Sequence, residues 1–292
     1  WKAQLLRTLY YETEPVLTGG FSEVNRAQRV ATAQAEFRAA LKDWPAAALD
    51  AHVARLYPAY WLKVDLPRKI EQAHFLREAE AKGKTLATSI RVDAERGITE
   101  LTVLAPDHPW LLSIIAGACA LAGANIVDAQ IYTTTDGLAL DTIAVSREFD
   151  RDEDEMRRAQ RIADSIEQAL RGDLRLPDNV AKRAGKRSRT FALTPVVDIN
   201  NQWSHRYTMV EVVGLDRPGL LYELTAALSK LNLNIVSAHV ATFGERVVDV
   251  FYVTDLMGAQ ITSPMRQAAI KRALLALFAK ENEPRAKATV AG

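Results

Sequence analysis

The chain holds a single cysteine, Cys119, in 292 residues. No internal disulfide can form, which suits a reducing compartment. Its five histidines, His52, His74, His108, His205 and His239, lie far apart, and no two have the spacing of metal ligands. No apolar run reaches the ~18 residues of a membrane span; the longest, about Leu111 to Ala124, is shorter and rich in Ala and Gly. Neither sign of charge dominates. A net charge of +1 gives no global attraction to nucleic acid or to an anionic membrane. Two catalytic signatures are also missing. The loop Gly19-Gly20-Phe-Ser22 is not followed by an Asp-x-Asp metal-ligand pair. No His-Asp doublet occurs, so no phosphohydrolase metal centre of that kind is expected. The chain opens on Trp1-Lys-Ala-Gln-Leu-Leu, with no initiator Met and no signal peptide. It is expected to be a piece of a longer, cytoplasmic protein.

What is present is ordinary in bulk. Hydrophobic residues make up 48% and charged residues 25%, as in soluble globular proteins. The length allows about two domains and something more. Residues 1–82 carry a helical pattern, with Ala27, Val30, Phe37 and Leu41 on one stripe and Gln34 interrupting it. Gly19-Gly20 and Trp44-Pro45 break helices, and Pro58 and Pro67 bracket the aromatic joint Ala-Tyr60-Trp61-Leu62-Lys-Val.

The informative feature is a repeat. Asp107-His108-Pro109-Trp110-Leu-Leu is followed by Asn125-Ile126-Val127; Asp216-Arg217-Pro218-Gly219-Leu220-Leu221 is followed by Asn234-Ile235-Val236. The copies hold a constant offset of 109 residues from Asp107/Asp216 to Ile131/Val240. That is a duplicated domain, since solenoid periods run roughly 20 to 50 residues. Each copy reads strand, strand, helix, strand, strand, helix. In the first, the strands are Thr88–Asp93, Ile98–Ala105, Asn125–Thr134 and Leu138–Ser146, and the helices Trp110–Ala122 and Glu153–Arg171. In the second, the strands are Phe191–Ile199, Tyr207–Val213, Asn234–Phe243 and Arg246–Val253, and the helices Pro218–Leu231 and Ser263–Glu281. A βαββαβ unit needs a fourth strand, and only a tail follows Glu281. The second unit must therefore take that strand from upstream, from Phe191–Ile199, and by symmetry the first takes Thr88–Asp93.

The expected domains are a helical segment at 1–82, a first unit at 83–172, a basic linker at 173–190, a second unit at 191–282 and a flexible tail at 283–292. The linker holds Lys182-Arg183-Ala-Gly-Lys186-Arg187-Ser-Arg189 and reads as a solvated connector. Cys119, among small apolar residues, reads as a buried small hydrophobe. His239 falls in a strand pattern, where it could line a pocket.

The two loops can do chemistry. Pro218 fits a first helical turn, where a missing N–H costs little, and Gly219 lets a ligand or backbone approach. The helix start offers free N–H groups and a positive dipole end, a seat for a carboxylate. Asp216 can accept from an ammonium group, and Asn234 can pair with a polar side chain. Together these describe a free amino acid. An Asp before Pro is also an ordinary helix cap and Asn234 an ordinary turn residue; both readings stand at this point. In the first loop Trp110 replaces the glycine, either closing the loop or supplying a wall. Arg217 and His108 read as solvent-facing.

These loops resemble the Asp/Asn-Arg-Pro-Gly and Asn-Ile pattern of ACT domains, intact at Asp216–Leu220 and Asn234-Ile235, and with Trp for Gly at Asp107–Leu111 and Asn125-Ile126. The start Trp1-Lys-Ala-Gln-Leu-Leu-Arg-Thr-Leu-Tyr-Tyr-Glu-Thr-Glu, then Tyr60-Trp61-Leu62, resembles the C-terminal region of the bifunctional protein-PII uridylyltransferase/uridylyl-removing enzyme family. The resemblance implies an α+β fold, a helical segment that is the tail of an HD domain and linker, then two ferredoxin-like βαββαβ ACT domains. It implies that the ACT pair senses L-glutamine and controls catalytic domains that act on the PII protein and need Mg2+; this chain itself would hold no cofactor, metal or catalytic residue. The implied ligand-binding residues are Asp216, Arg217, Pro218, Gly219, Leu220, Leu221, Asn234 and Ile235, with Asp107, His108, Pro109, Trp110, Asn125 and Ile126. ACT units would pair within or between chains, without nucleic acid or membrane. Two other readings are an ACT regulator of a stringent-response or amino-acid biosynthetic enzyme, against which Trp1 to Ala79 argues, and an RNA-binding ferredoxin-like sheet. The latter wants exposed aromatics on the central strands, which Arg246-Val-Val-Asp-Val-Phe251-Tyr252-Val lacks. The chain alone is expected neither to transfer nor to remove uridylyl groups; turnover of labelled PII by the pure chain would contradict this reading.

Overall fold

The computed structural model describes residues 23–174, 176, 193–202, 204, 206–243 and 245–279. The Trp1–Glu14 match, Gly19-Gly20, the basic run 182–189, Phe191, His205, Gly244 and the tail lie outside the described residues. Two compact units emerge, and they do not follow the repeat. One takes the described residues up to Asp107 with Tyr132–Thr142 and Arg147–Met156; the other takes His108–Ile131, Ile143–Ser146 and the described residues from Arg157 onward.

The first unit opens with α1 (Glu23–Ala40), α2 (Ala46–Arg55), α3 (Pro58–Lys63) and α4 (Leu66–Ala81). Local chemistry sets the boundaries. The Asp65 carboxylate caps α4 by accepting from the Arg68 N–H at 2.9 Å, and Pro67 occupies the first turn. The aromatic joint is the centre of this unit. Phe37, Tyr60, Trp61 and Leu76 are fully buried, and they share one core with Ala87, Leu104, Tyr132 and Leu140. The Trp61 indole N–H donates to the Leu56 carbonyl at 3.2 Å, so its polar end is satisfied.

Strands β1 (Ala87–Asp93) and β2 (Ile98–Pro106) pair antiparallel from Ala87↔Leu104 to Asp93↔Ile98, and β4 (Leu138–Ser146) follows β2 in the sheet order. Leu104 and Leu140 face the helices while Leu101, Val103, Ala139 and Asp141 are also buried. Burial on both faces explains why Leu138–Val145 reads as an almost continuous apolar run. Glu100 on β2 is buried and receives Arg68, Arg91 and Arg96 together. Three cations on one desolvated carboxylate tie α4 to the strand pair.

In the second unit come α5 (Leu111–Ala122), β3 (Ile126–Gln130), the end of β4, and α6 (Asp152–Leu170) from Arg157 onward. They are followed by β5 (Val196–Asn200), β6 (Thr208–Leu215), α7 (Leu220–Lys230), β7 (Leu233–Phe243), β8 (Arg246–Asp255) and α8 (Pro264–Ala279). The strand order is β4-β3-β7-β8-β6-β5. Strand β5 pairs with β6 from Val196↔Val213 to Asn200↔Met209, so the second repeat does take its outer strand from upstream. Strand β8 alternates buried and half-buried residues, as a sheet with one face on helices should. The mixture of helices and antiparallel sheet, with a helical N-terminal part, is the α+β class.

Strand β3 is shorter than its sequence pattern, ending at Gln130 rather than Thr134. Residues after it are drawn to the helical segment instead. Thr134 bridges to Leu56, the Thr135 N–H donates to the Arg55 carbonyl at 2.9 Å, and the Arg55 guanidinium holds Asp136 at 2.6 Å. In the second unit α5 and α7 pack tightly: a Cβ on Gly117 would stand 2.9 Å from the Tyr222 ring.

Gly214 on β6 lies under Phe278 of α8, whose ring would be 2.3 Å from an added Cβ. Gly214→Ala is expected to destabilise the fold by about 1–3 kcal/mol, read from urea unfolding. An unchanged midpoint would mean that the ring swings aside freely.

Candidate ligand-binding loops

Both loops leave an inner strand and enter a helix with the same backbone bonds. The Asp216 N–H donates to the Glu245 carbonyl at 2.7 Å, and the Asp107 N–H to the Gly137 carbonyl at 3.0 Å. Leu220 N–H donates to Arg217 O at 3.1 Å, and Leu111 N–H to His108 O at 3.0 Å. Glu223 N–H reaches Gly219 O at 3.0 Å, and Ile114 N–H reaches Trp110 O at 2.9 Å. The sequence repeat is therefore a repeat of loop geometry.

The loops differ at one residue. Gly219 has φ 83°, in the left-handed region, whereas Trp110 at the matching place has φ −96°. Gly219 is thus required by its own backbone conformation. Both helices nevertheless start at matching residues, Leu111 and Leu220. Helix α7 starts at Leu220, so Pro218 sits in the preceding turn and not in the first helical turn as expected. The N-cap position of α7 is Gly219, three residues after Asp216. The Asp107 carboxylate accepts from Thr133 Oγ1 at 2.9 Å.

Arg217 is not solvent-facing. Its guanidinium forks onto Glu223, at 3.0 and 2.7 Å, with the side chain mostly covered. Such a fork is a planar, bidentate pair that braces the loop against the first turn of α7. His108 is exposed, but its Nδ1 accepts from the Trp110 N–H at 3.3 Å. Trp110 itself is 40% exposed. Leu220, Ile126 and Ile235 are buried, and Leu221 is half-buried.

The largest correction concerns the asparagines. Asp216 lies at the end of the sheet where β6 meets the β7–β8 turn, since Leu215 pairs with Arg246 and Arg246 with Phe243. Asn234 pairs with Thr254 at the opposite end. The intervening length of β7 is on the order of 30 Å, so Asp216 and Asn234 cannot frame one small ligand. Pairing between the repeats brings a different asparagine to the Asp216 end of the sheet. Strand β3 runs antiparallel to β7 through Ala129↔Ala238. Counting outward from that pair brings Asn125, exposed just before β3, level with Thr242 at the Asp216 end. The first loop is similarly tied to the second repeat: the buried Ser229 Oγ, near the C-terminus of α7, donates to the Pro109 carbonyl at 2.7 Å.

Two functional candidates escaped the sequence reading. Asp249 on β8 and Asp141 on β4 are 1% and 0% exposed. Asp249 Oδ1 and both carboxylate oxygens of Asp141 have no hydrogen-bond partner. Burial, with the charge of Asp216 added, pushes the Asp249 carboxyl from its ordinary 3.8 up to about 7. Burial, with Asp107 added, pushes Asp141 well above its ordinary value. The signal was legible: Leu-Asp141-Thr-Ile-Ala-Val and Val-Asp249-Val-Phe-Tyr-Val each place one acid inside an apolar strand. Other candidates recede. His239 is exposed on the sheet, 3.5 Å from Asp128 and edge-on to Tyr252. Cys119 is fully buried, and burial raises its thiol to about 12, as expected of a small hydrophobe. Among the described residues no cluster of His, Cys, Asp and Glu could hold a metal ion, and no helix is long and apolar enough to cross a membrane.

Residues 208–263 match the ACT domain family. Over 96% of its length the chain is 71% identical to the bifunctional uridylyltransferase/uridylyl-removing enzyme of Rhodopseudomonas palustris, of which it covers 30%. Over 97% of its length it is 72% identical to the enzyme of that name from Nitrobacter winogradskyi, of which it covers 31%. The chain thus spans just under a third of the length of the curated relatives it matches. Among solved structures, the ligand-free regulatory subunit of aspartate kinase from Thermus thermophilus aligns at 14% identity over 67% of this chain and 99% of that one, with a TM-score of 0.19. At that score it carries no argument. One region of the chain thus matches the ACT family, and nearly the whole chain matches a portion of the uridylyltransferase/uridylyl-removing enzymes.

The buried acid makes stability depend on pH. With its folded value near 7 against 3.8 ordinarily, Asp249 contributes stability below 3.8 that is lost as pH rises through about 7. Asp249→Asn is expected to flatten the decline of unfolding free energy across that window. An unaltered slope in chemical denaturation would show that Asp249 ionises freely in the folded state.

Proposed function

We propose that this chain is the amino-acid-sensing regulatory part of a cytoplasmic bifunctional enzyme that uridylylates and deuridylylates the PII signalling protein, and that its effector is free L-glutamine. The observation that carries the reading is the paired loop geometry, seen in a chain so similar to enzymes of that name. Each loop brings an aspartate beside a helix start. The helix start offers N–H donors and the positive end of the dipole to an α-carboxylate, and the aspartate accepts from an α-ammonium. Most of the ligand residues divide between two sites. Asp216, Pro218, Gly219, Leu220 and Leu221 work with Asn125 and Ile126 from the other repeat. His108, Pro109 and Trp110 work with Asn234 and Ile235. Arg217 acts by bracing the loop through Glu223 rather than by touching the ligand. The chemistry of the two catalytic steps, and any Mg2+ they require, belongs to regions of the relatives that this chain does not cover.

Loss of one charge-assisted hydrogen bond from a desolvated site costs roughly 1.5–3 kcal/mol, or about ten- to a hundredfold in affinity. Asp216→Ala is expected to weaken L-glutamine binding by that factor. The variant should stay folded, apart from a helix-cap loss of about 1 kcal/mol. Calorimetric titration of the chain with glutamine, glutamate and a few other amino acids decides the matter. Equal glutamine affinity in parent and variant would remove Asp216 from the site.

A further inference from the structure

We propose that the cleft between α4 and the helix-covered face of β1 and β2 binds a small zwitterion, a molecule with a carboxylate and an ammonium group a few atoms apart. The cleft holds about 360 Å³, open mouth included, and every residue that lines it belongs to the first unit. None of them lies in either Asp-x-Pro loop, so the inference does not rest on the reading of those loops.

Helix and sheet change character in step along this seam. On α4, Leu76, Gln72 and Arg68 stand four residues apart, in one row along the helix. On β2, Leu104, Thr102 and Glu100 share one face, and their β1 partners are Ala87, Ser89 and Arg91. On β4, Leu140 is followed at the same spacing by Thr142. Leu76, Ala87, Leu104 and Leu140 belong to the core. At the next level Gln72 Nε2 donates to Thr142 Oγ1 at 2.9 Å, and at the third Arg68 pairs with Glu100. The seam is apolar at one end and charged at the other, and the cleft opens where it turns polar.

Two lining groups have bonding capacity left over. Gln72 is 4% exposed, and its Oε1 is buried with no hydrogen-bond partner. A buried acceptor without a donor is costly. Arg91 gives its Nε–H to Glu100 at 3.1 Å. Its two Nη groups stand 3.6 Å from Glu71 and 3.8 Å from Asp93, beyond hydrogen-bond length. The lining carries two cations, Arg68 and Arg91, and two anions, Glu71 and Glu100. A neutral site with its charges apart suits a neutral molecule with its charges apart, and disfavours a polyanion. A carboxylate set against Arg91 takes both Nη groups as a fork. The ammonium beside it donates to Gln72 Oε1 and to Glu71. The zwitterion thus replaces one loose ion pair by two closer ones and satisfies the buried carbonyl. Ser89 and Thr102, cross-strand neighbours, add hydroxyls to the wall.

Glycine, the smallest such zwitterion, is the probe, with acetate and methylammonium as its two halves. Each is titrated into the isotope-labelled chain while NMR follows the side-chain Nε–H of Arg91 and the amide group of Gln72. Loss of each signal in Arg91→Lys and in Gln72→Leu assigns it. Glycine should shift both signals saturably, and each half should need a concentration about tenfold higher or more. In Gln72→Leu the Arg91 signal should report glycine binding about tenfold weaker. In Arg91→Lys the Gln72 signal should report the same, since lysine keeps the charge but not the fork. Circular dichroism checks folding. Should Gln72→Leu not fold, Arg91→Lys decides, because that side chain is 36% exposed. Glycine that moves neither signal overturns the inference and leaves a cleft filled by water. Parental affinity in Arg91→Lys, or acetate bound as tightly as glycine, overturns it too. None of these outcomes bears on the loops, which titration with L-glutamine tests separately.

Discussion

The pairing of β3 with β7 is the constraint on which the candidate sites depend. Ala129 and Ala238 meet there, both fully buried, and small side chains let two otherwise open sheet edges approach. Unpaired edge strands are a standing liability; joining them satisfies the backbone and also fixes an antiparallel register. That register sends the start of β3 toward the end of β7. Asn125 is thereby carried to the end of the sheet at which β6 leads into the Asp216 loop, and Ser229 of α7 reaches Pro109. A duplicated domain with its edges unjoined would hold each aspartate and each asparagine at opposite ends of the same sheet.

Much of the architecture was legible because it is written in periods and punctuation. The alternation along Val247–Val253, the apolar run Leu138–Val145 and the repeat of Asp-x-Pro each name a strand face or a turn. The upstream source of the outer strand followed from counting strands. What was not legible depends on contacts distant in sequence. Strand β3 stops early because Arg55, 81 residues before Asp136, holds the following turn. Asn234 looked like a partner of Asp216 because they are close in the chain, yet a helix and most of a strand separate them in space. The left-handed conformation of Gly219 is likewise local, and no propensity for Asp before Pro can reveal it. The buried acids were visible as residues out of pattern, but the place of Asp249 between Val212 and Val240 needed the sheet register.

The repeats share a topology and differ in their surroundings. In the first, β2 and β4 are covered on both faces, one of them by the aromatic core around Trp61. In the second, β8 keeps one face half-open. The first repeat is thus set in a solid frame of helices, while the second has fewer restraints on its outer sheet surface. A buried acid is present in both settings.

Tyr222 stands in the first turn of α7, two residues past Leu220, and its ring lies where a side chain on Gly117 would be. The helix whose start faces the Asp216 loop therefore touches the middle of the corresponding helix of the other repeat with no slack between them. Close-packed interiors transmit strain rather than absorb it. A helix joint of this kind works as a gear without backlash: a shift in the first turn of α7 has no free travel before it loads α5.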